Sequence, residues 1–236
     1  MASVSILHTN DLHGALDDAR EASLGRLRKD ADLYFDTGDA VKSGNLGVPL
    51  RQEPVWARFG RLDLTASVIG NRETHLVEAG FKAKLAGATQ PILCANLRTK
   101  SGERPLKGEM VLEVGGLRIG VFGVSVPMVT ERMAAKAASA YLWDPPVPVA
   151  AECVARLRSE VDLLIGLTHI GHRADLSLAQ AVAGIDILLT GHSHTVLALP
   201  VRVGETWICQ GGSHAHYAGL YTWEAGVLSG RLHPLT

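Results

Sequence analysis

Short apolar runs separated by polar, glycine-bearing segments organise the chain. Residues 3–8 (SVSILH) read as a strand. Residues 17–30 carry Ala19, Leu24 and Leu27 at helical spacing, continued by Ala31, and predict a helix. LYFDT at 33–37 is a second strand. Pro54 opens a helix through Phe59, a position where its fixed φ and missing N–H cost nothing. Strands follow at 64–70 and 91–97. Two β runs at 111–124 flank Gly115-Gly116, a hairpin signal. A helix follows Pro148 over 150–158, a buried strand 161–167, a helix 176–182 and a strand 185–191. The tail holds three β runs, beginning at residues 200, 206 and 218, with turns at Gly204-Glu205 and Ala225-Gly226.

The first part and residues 146–191 alternate strand and helix, while the middle and the tail are rich in hairpins. That mixture predicts a layered α/β domain with mixed sheets rather than one parallel sheet. No repeat, low-complexity linker or break in composition divides the 236 residues, so one domain is expected.

Composition narrows the function classes. With 47% apolar and 20% charged residues the chain has enough apolar surface to fold, so whole-chain disorder is excluded. The net charge of −1 shows no basic excess of the kind that marks binding to nucleic-acid polymers. No basic n-region, leader or membrane-length apolar run is visible. Cys94, Cys153 and Cys209 are too scattered for a disulfide frame or a thiolate metal site, so a reduced, cytoplasmic protein is expected. The 25 glycines suggest tight loops, and the 10 histidines suggest a site.

Polar residues fall where the strands end. Asp11 and His13 follow the first strand, Asp36 and Asp39 the second, and Asn71, Arg72, Glu73 and His75 the third. His169 and His172 follow 161–167, and His192 and His194 follow 185–191. Carboxyl ends of strands in α/β sheets border the ligand crevice, so these loops are expected to meet. Taken singly, each has an ordinary explanation: an Asx turn at Asp11, a turn at Gly38-Asp39, a helix cap in GNRE. Taken together they form a ligand set of carboxylate, amide and imidazole, which suits Mn, Zn or Fe(II). The donors are too many for one ion. Two divalent ions sharing a carboxylate would use them all, and would orient an in-line attack by a bridging hydroxide on phosphorus.

These motifs, DxH (Asp11, His13), GDxxxxG (Gly38, Asp39, Gly44), GN (Gly70, Asn71), TH (Thr168, His169) and GHSH (Gly191 to His194), resemble the calcineurin-like metallophosphoesterases, and within them the 5′-nucleotidase branch. The resemblance runs from residue 4 to about Gly212. It implies a four-layer αββα sandwich with two mixed β-sheets. It assigns Asp11, His13, Asp39 and His194 to one metal and Asp39, Asn71, His169 and His192 to the other, with Asp39 bridging and Asn71 also beside the substrate.

Two departures stand out. Arg72 occupies the place of the family's catalytic His, and His75 that of the Asp supporting it. Arg72 cannot act as a general acid, but its donor fork suits phosphoryl oxygens; a structural ion pair with Glu73 or another acid is the alternative. Residues 1–236 also lack the C-terminal domain with which the nucleotidase branch grips its nucleoside. Arg173, His214 and His216 are candidates for substrate contact, His8 for a supporting role, and His233 for none. The expected function is a dinuclear phosphoesterase acting on a small phosphomonoester or phosphodiester, nucleotides included. Alternatives are a metal-binding regulatory module without turnover, and a hydrolase of cyclic nucleotides or sulfur esters. Oligomeric state has no sequence signal.

Overall fold

The computed structural model describes residues 2–236. Two six-stranded sheets carry the fold. The first has the order β14 (Val227–Pro234), β13 (Tyr217–Glu224), β1 (Ser3–Thr9), β2 (Leu33–Asp36), β3 (Ala66–Val68), β4 (Ile92–Leu93). Strands β1 to β4 are parallel, and β13 and β14 add an antiparallel edge. The second has the order β11 (Val201–Val203), β12 (Thr206–Cys209), β10 (Ile187–Thr190), β9 (Leu163–His169), β7 (Leu117–Ser125), β6 (Glu109–Val114). Its four central strands are parallel and both edge strands antiparallel. Both sheets are mixed, as expected from the alternation of βα units with hairpins.

Alternation along each strand sorts the core into layers. Val4 and Ile6 of β1 face inward with Phe35, Val121, Ile165 and Leu189, so the sheets pack face to face. Leu7, one residue on, faces outward with Tyr34 against Leu24 of α1 (Asp18–Arg28) and Trp56 and Phe59 of α2 (Pro54–Arg61). On the far side, Phe122, Leu164 and Leu188 pack against α4 (Pro146–Leu157) and α5 (His172–Ala181). The result is the αββα sandwich.

Several boundaries differ from the pattern reading. Helix α4 begins at Pro146, ahead of the expected 150, because prolines fit the first turn, whose N–H groups have no helical acceptor. Helix α5 begins at His172, straight after Gly171, whose φ of 88° ends β9 and redirects the chain. The 91–97 run splits into β4 and β5 (Leu97–Thr99), and β5 pairs with β8 (Tyr141–Trp143), a strand the pattern did not indicate. Helix α3 (Glu78–Leu85) was also unexpected. Its buried face is Gly80, Phe81 and Lys84, so it has no apolar stripe to read. The Gly115-Gly116 hairpin forms as expected, with φ of 59° and 80°, the left-handed pair of a two-residue turn. All three cysteines are buried and free. Among the described residues, no helix is long and apolar enough to cross a membrane.

Candidate metal centre

The carboxyl ends of β1, β2, β3, β9 and β10 open on the same edge of the sandwich, and the loops leaving them converge. Pairing of β1 with β2 continues past both strands: Asp11 N–H donates to Gly38 O at 2.9 Å, and His13 N–H to Asp39 O at 2.8 Å. This places Asp11, His13 and Asp39 side by side. Gly70 must lack a side chain here, because a Cβ would lie 2.2 Å from Asp39 Oδ1.

Two groups of donors result. Asp11, His13 and His194 form the first. The Nε2 atoms of His13 and His194 approach to 2.9 Å, and Asp11 Oδ1 lies 3.3 Å from His194 Nε2 and 3.7 Å from His13 Nε2. Those separations match donors set around one ion at roughly 2.0–2.2 Å each. Asp11, Asp39 and His169 form the second, with His169 Nε2 3.5 Å from Asp39 Oδ1. Asn71 Oδ1 joins it, 3.3 Å from His169 Nε2 and 2.9 Å from His192 Nδ1. Asp39 faces both groups, Oδ1 toward His169 and Oδ2 toward His13 Nδ1 at 4.0 Å. All seven candidate ligands are thus brought together; Asp11 is shared by both groups, while Asp39 belongs to the second and approaches His13 of the first at Nδ1.

The protonation pattern suits a metal. His169 Nδ1–H must donate to Thr37 O, a carbonyl 2.7 Å away, which leaves the Nε2 lone pair facing Asp39 and Asn71. Asp11 Oδ2 accepts from Asn10 Nδ2 and from His192 N–H, while Oδ1 is buried with no hydrogen-bond partner. His13 Nδ1 is buried and unpartnered too. Asp11 Oδ1, buried and without a partner, faces the Nε2 atoms of His13 and His194, as a donor to a divalent ion would. Burial pulls the His13 and His192 pKa values down to about 3 and about 4, keeping both imidazoles neutral, and burial pushes Asp11 and Asp39 up to about 6.

Five candidate ligands have left-handed backbones: Asp11 (φ 49°), His13 (50°), Asp39 (55°), His192 (77°) and His194 (54°). Each costs about 1–3 kcal/mol, a strain that clusters at functional sites.

The remaining expected residues are distributed unevenly. Arg72 N–H donates to Asp39 Oδ1 at 2.7 Å, its Nε lies 4.0 Å from Asp39 Oδ2, and a guanidinium N–H reaches Lys42 O at 3.4 Å. The guanidinium therefore approaches Asp39, not Glu73. His214 (φ 56°) packs with its ring tilted 48° and 4.8 Å from that of His13 and lies 6.0 Å from His194; His216 is exposed, 6.3 Å from His214. Arg173 is exposed on the first turn of α5, bordering a cleft of about 440 Å³ with Ile170, His172 and Ser193. His75 turns to the start of α3, where its Nδ1 accepts from Val77 N–H at 3.0 Å. His8 is buried and bonds Thr37 Oγ1 at 2.9 Å.

Sequence reading assigned no supporting role to several residues that hold the centre, Asn10, Asn45 and Glu73 among them. Asn10 ties Asp11 to the 211–212 segment through Gly211 N–H and Gly212 O. Asn45 Oδ1 accepts from Asn71 Nδ2 at 3.0 Å. Glu73 was weighed as a helix cap; its carboxylate instead accepts from the N–H groups of Asp39, Ala40, Val41 and Gly70. Only Glu73 carried a signal, its place in GNRE.

Comparison with known proteins bears on the family and the fold. The trifunctional nucleotide phosphoesterase protein YfkN of Bacillus subtilis is 29% identical over 243 residues, covering 82% of this chain and 16% of that protein. A 5′-nucleotidase precursor from Thermus thermophilus superposes with a TM-score of 0.80 at 21% identity, over 99% of this chain and 55% of its own. The sulfate thiohydrolase SoxB from Thermus thermophilus superposes at 0.81 with 20% identity, over 98% and 56%. At those identities the two structures speak to the fold, and the chain spans about half the length of each. The sequence model of the calcineurin-like phosphoesterases matches residues 4–196. The chain belongs to the calcineurin-like phosphoesterase family, whose chemistry is metal-dependent hydrolysis of phosphoric esters.

Proposed function

We propose that residues 1–236 form a catalytic unit that hydrolyses small phosphoric esters at two divalent ions, held by Asp11, His13, Asp39 and His194 and by Asp39, Asn71, His169 and His192. The observation that carries this reading is a pair of adjoining donor groups that share Asp11, with Asp39 in the second group and 4.0 Å from His13 of the first. When bound, such ions polarise the phosphoryl group and generate the nucleophile from water near neutral pH.

The chain's own residues do the rest. His169 is held to one tautomer by Thr37 O, and Asp11 keeps one oxygen free. Arg72 neutralises charge building on the phosphoryl oxygens, and His214, beside His13, contacts the same face of the substrate, with His216 and Arg173 farther out. A guanidinium is not a general acid, so Arg72 donates no proton to the departing oxygen. Substrates with acidic leaving groups, aryl esters foremost, are therefore favoured over alkyl esters. The names of the relatives make 5′-nucleotides the first natural class to try, although as esters of a primary alcohol they should turn over more slowly than aryl esters.

The test is hydrolysis of nitrophenyl phosphate, its diester and 5′-nucleotides by protein loaded with Mn²⁺, Zn²⁺ or Fe²⁺. Aryl phosphate turnover is expected with at least one ion. Asp39→Asn should lower kcat by about 10²-fold or more, on the order of 3 kcal/mol of transition-state stabilisation. A second reading, a metal-binding module without turnover, is favoured by Arg72 standing where the family places its catalytic His. It would be supported by a wild type that binds ions yet hydrolyses nothing, and by activity appearing in Arg72→His.

A further inference from the structure

Lys84 belongs to none of the donor groups, yet its side chain is fully buried behind them. Its Nζ donates to three carbonyl oxygens: Gly44 at 2.7 Å, Asn45 at 3.3 Å and Arg72 at 2.5 Å. An ammonium has three donors and no acceptor, so its bonding capacity is used up. The three carbonyls belong to two loops of the candidate centre, the one leaving Asp39 and the one carrying Asn71 and Arg72. Burying a cation costs several kcal/mol unless neighbours compensate it. Here Glu73, Glu53 and Asp39 oppose the loss of charge that burial favours.

The loop it holds matters through Asn45. Asn45 is exposed, and its Oδ1 accepts from Asn71 Nδ2 at 3.0 Å. With Asn45 Oδ1 as acceptor, that bond favours one orientation of the Asn71 amide. With Nδ2 committed to Asn45, Oδ1 points to His169 and His192. A flipped amide would present N–H donors there, and N–H groups cannot ligate a cation.

We propose that Lys84 is a positioning residue: by gathering the Gly44, Asn45 and Arg72 carbonyls it holds Asn45 against Asn71, and so sets the amide orientation that offers Asn71 Oδ1 to an ion shared with His169 and His192. This rests on the reading of Asn71 as a metal ligand.

Calorimetric titration of the metal-free protein with Mn²⁺ tests it, on wild type, Lys84→Met, Lys84→Arg and Asn45→Ala. Wild type should show two binding steps. Lys84→Met and Asn45→Ala should each weaken one step by about 10–100-fold, the usual cost of losing an outer support of a metal ligand, and leave the other unchanged. Lys84→Arg, which keeps charge and donors, should recover part of the loss. If Lys84→Met does not fold, Asn45→Ala decides, since its side chain lies at the surface. Two wild-type-like steps in Asn45→Ala overturn the proposal, and so does an equal weakening of both steps, which would be general loosening. Lys84→Arg no better than Lys84→Met overturns the role of the ammonium. Fewer than two ions bound per wild-type chain overturns the dinuclear reading itself, and is recognisable because it appears without any substitution.

Discussion

On the flank built from the first sheet, residues 39–45 hang on buried charges: Glu73 takes the N–H groups of Asp39, Ala40 and Val41, Glu53 those of Lys42 and Ser43, and Lys84 the carbonyls of Gly44 and Asn45. On the flank built from the second sheet, neutral groups do the same task. Gln210 Oε1 accepts from Ser193 Oγ and Thr195 N–H, and its Nε2 donates to Thr190 Oγ1 and Gly191 O. Asn10 binds Gly211 and Gly212 likewise. The contrast has a physical reason. Lys84 supplies positive charge on a flank that crowds Asp39, Glu73 and Glu53 together, whereas His192 and His194 must stay neutral to ligate, and a neutral frame leaves them so.

The largest expected effect tests the charged flank. Glu73→Gln keeps the shape but turns two donors toward backbone N–H groups and removes a counter-charge from Lys84. The expected loss is about 3–5 kcal/mol, the usual cost of breaking a buried ionic arrangement on one side. Chemical denaturation of the metal-free protein measures it. The matching change on the neutral flank, Gln210→Leu, should cost about 1–3 kcal/mol, since it strands dipoles rather than charges. If the two losses are equal, the contrast has no energetic meaning.

That division was only half legible. Apolar runs ending in Gly or Thr and followed by Asp, Asn or His revealed the candidate ligands, because strand polarity sends every such loop to one edge. The fastenings gave no comparable signal. Lys84 gives no local sign of its role, since nothing near it in the chain shows that Gly44, Asn45 and Arg72 will offer it carbonyls. Gln210 follows an apolar strand like any turn residue. Helix α3 was invisible for the same cause: its buried face includes a lysine and a glycine, so hydrophobic periodicity has nothing to register.

A pH comparison sharpens the contrast further. Burial holds Asp39 at about 6 against an ordinary 3.8, so the folded protein keeps a proton that the unfolded chain has released. The stability this contributes is full below about pH 4 and is lost as pH rises through about 6. Metal-free Asp39→Asn should therefore gain on wild type as pH rises from about 4 to about 7.5. Gln210→Leu should keep a constant offset from wild type, because no charge changes. Mn²⁺ should reverse the first trend, since ligation requires the ionised carboxylate. A flat difference for Asp39→Asn in chelator would remove burial as the cause.

The smallest effect separates strain from support on the neutral flank. His214 adopts φ 56° while its ring is exposed and packed 4.8 Å from that of His13, and its N–H donates to Asp11 O at 2.8 Å. Glycine would keep that backbone bond and adopt the left-handed conformation freely. His214→Gly should therefore match or exceed wild-type stability, by up to about 1 kcal/mol. If the ring serves substrate contact, the same variant should raise KM for aryl phosphate several-fold with less change in kcat. A stability loss beyond about 1 kcal/mol with KM unchanged would instead make the imidazole a structural brace of His13, and the neutral flank would owe part of its order to a residue assigned to the substrate.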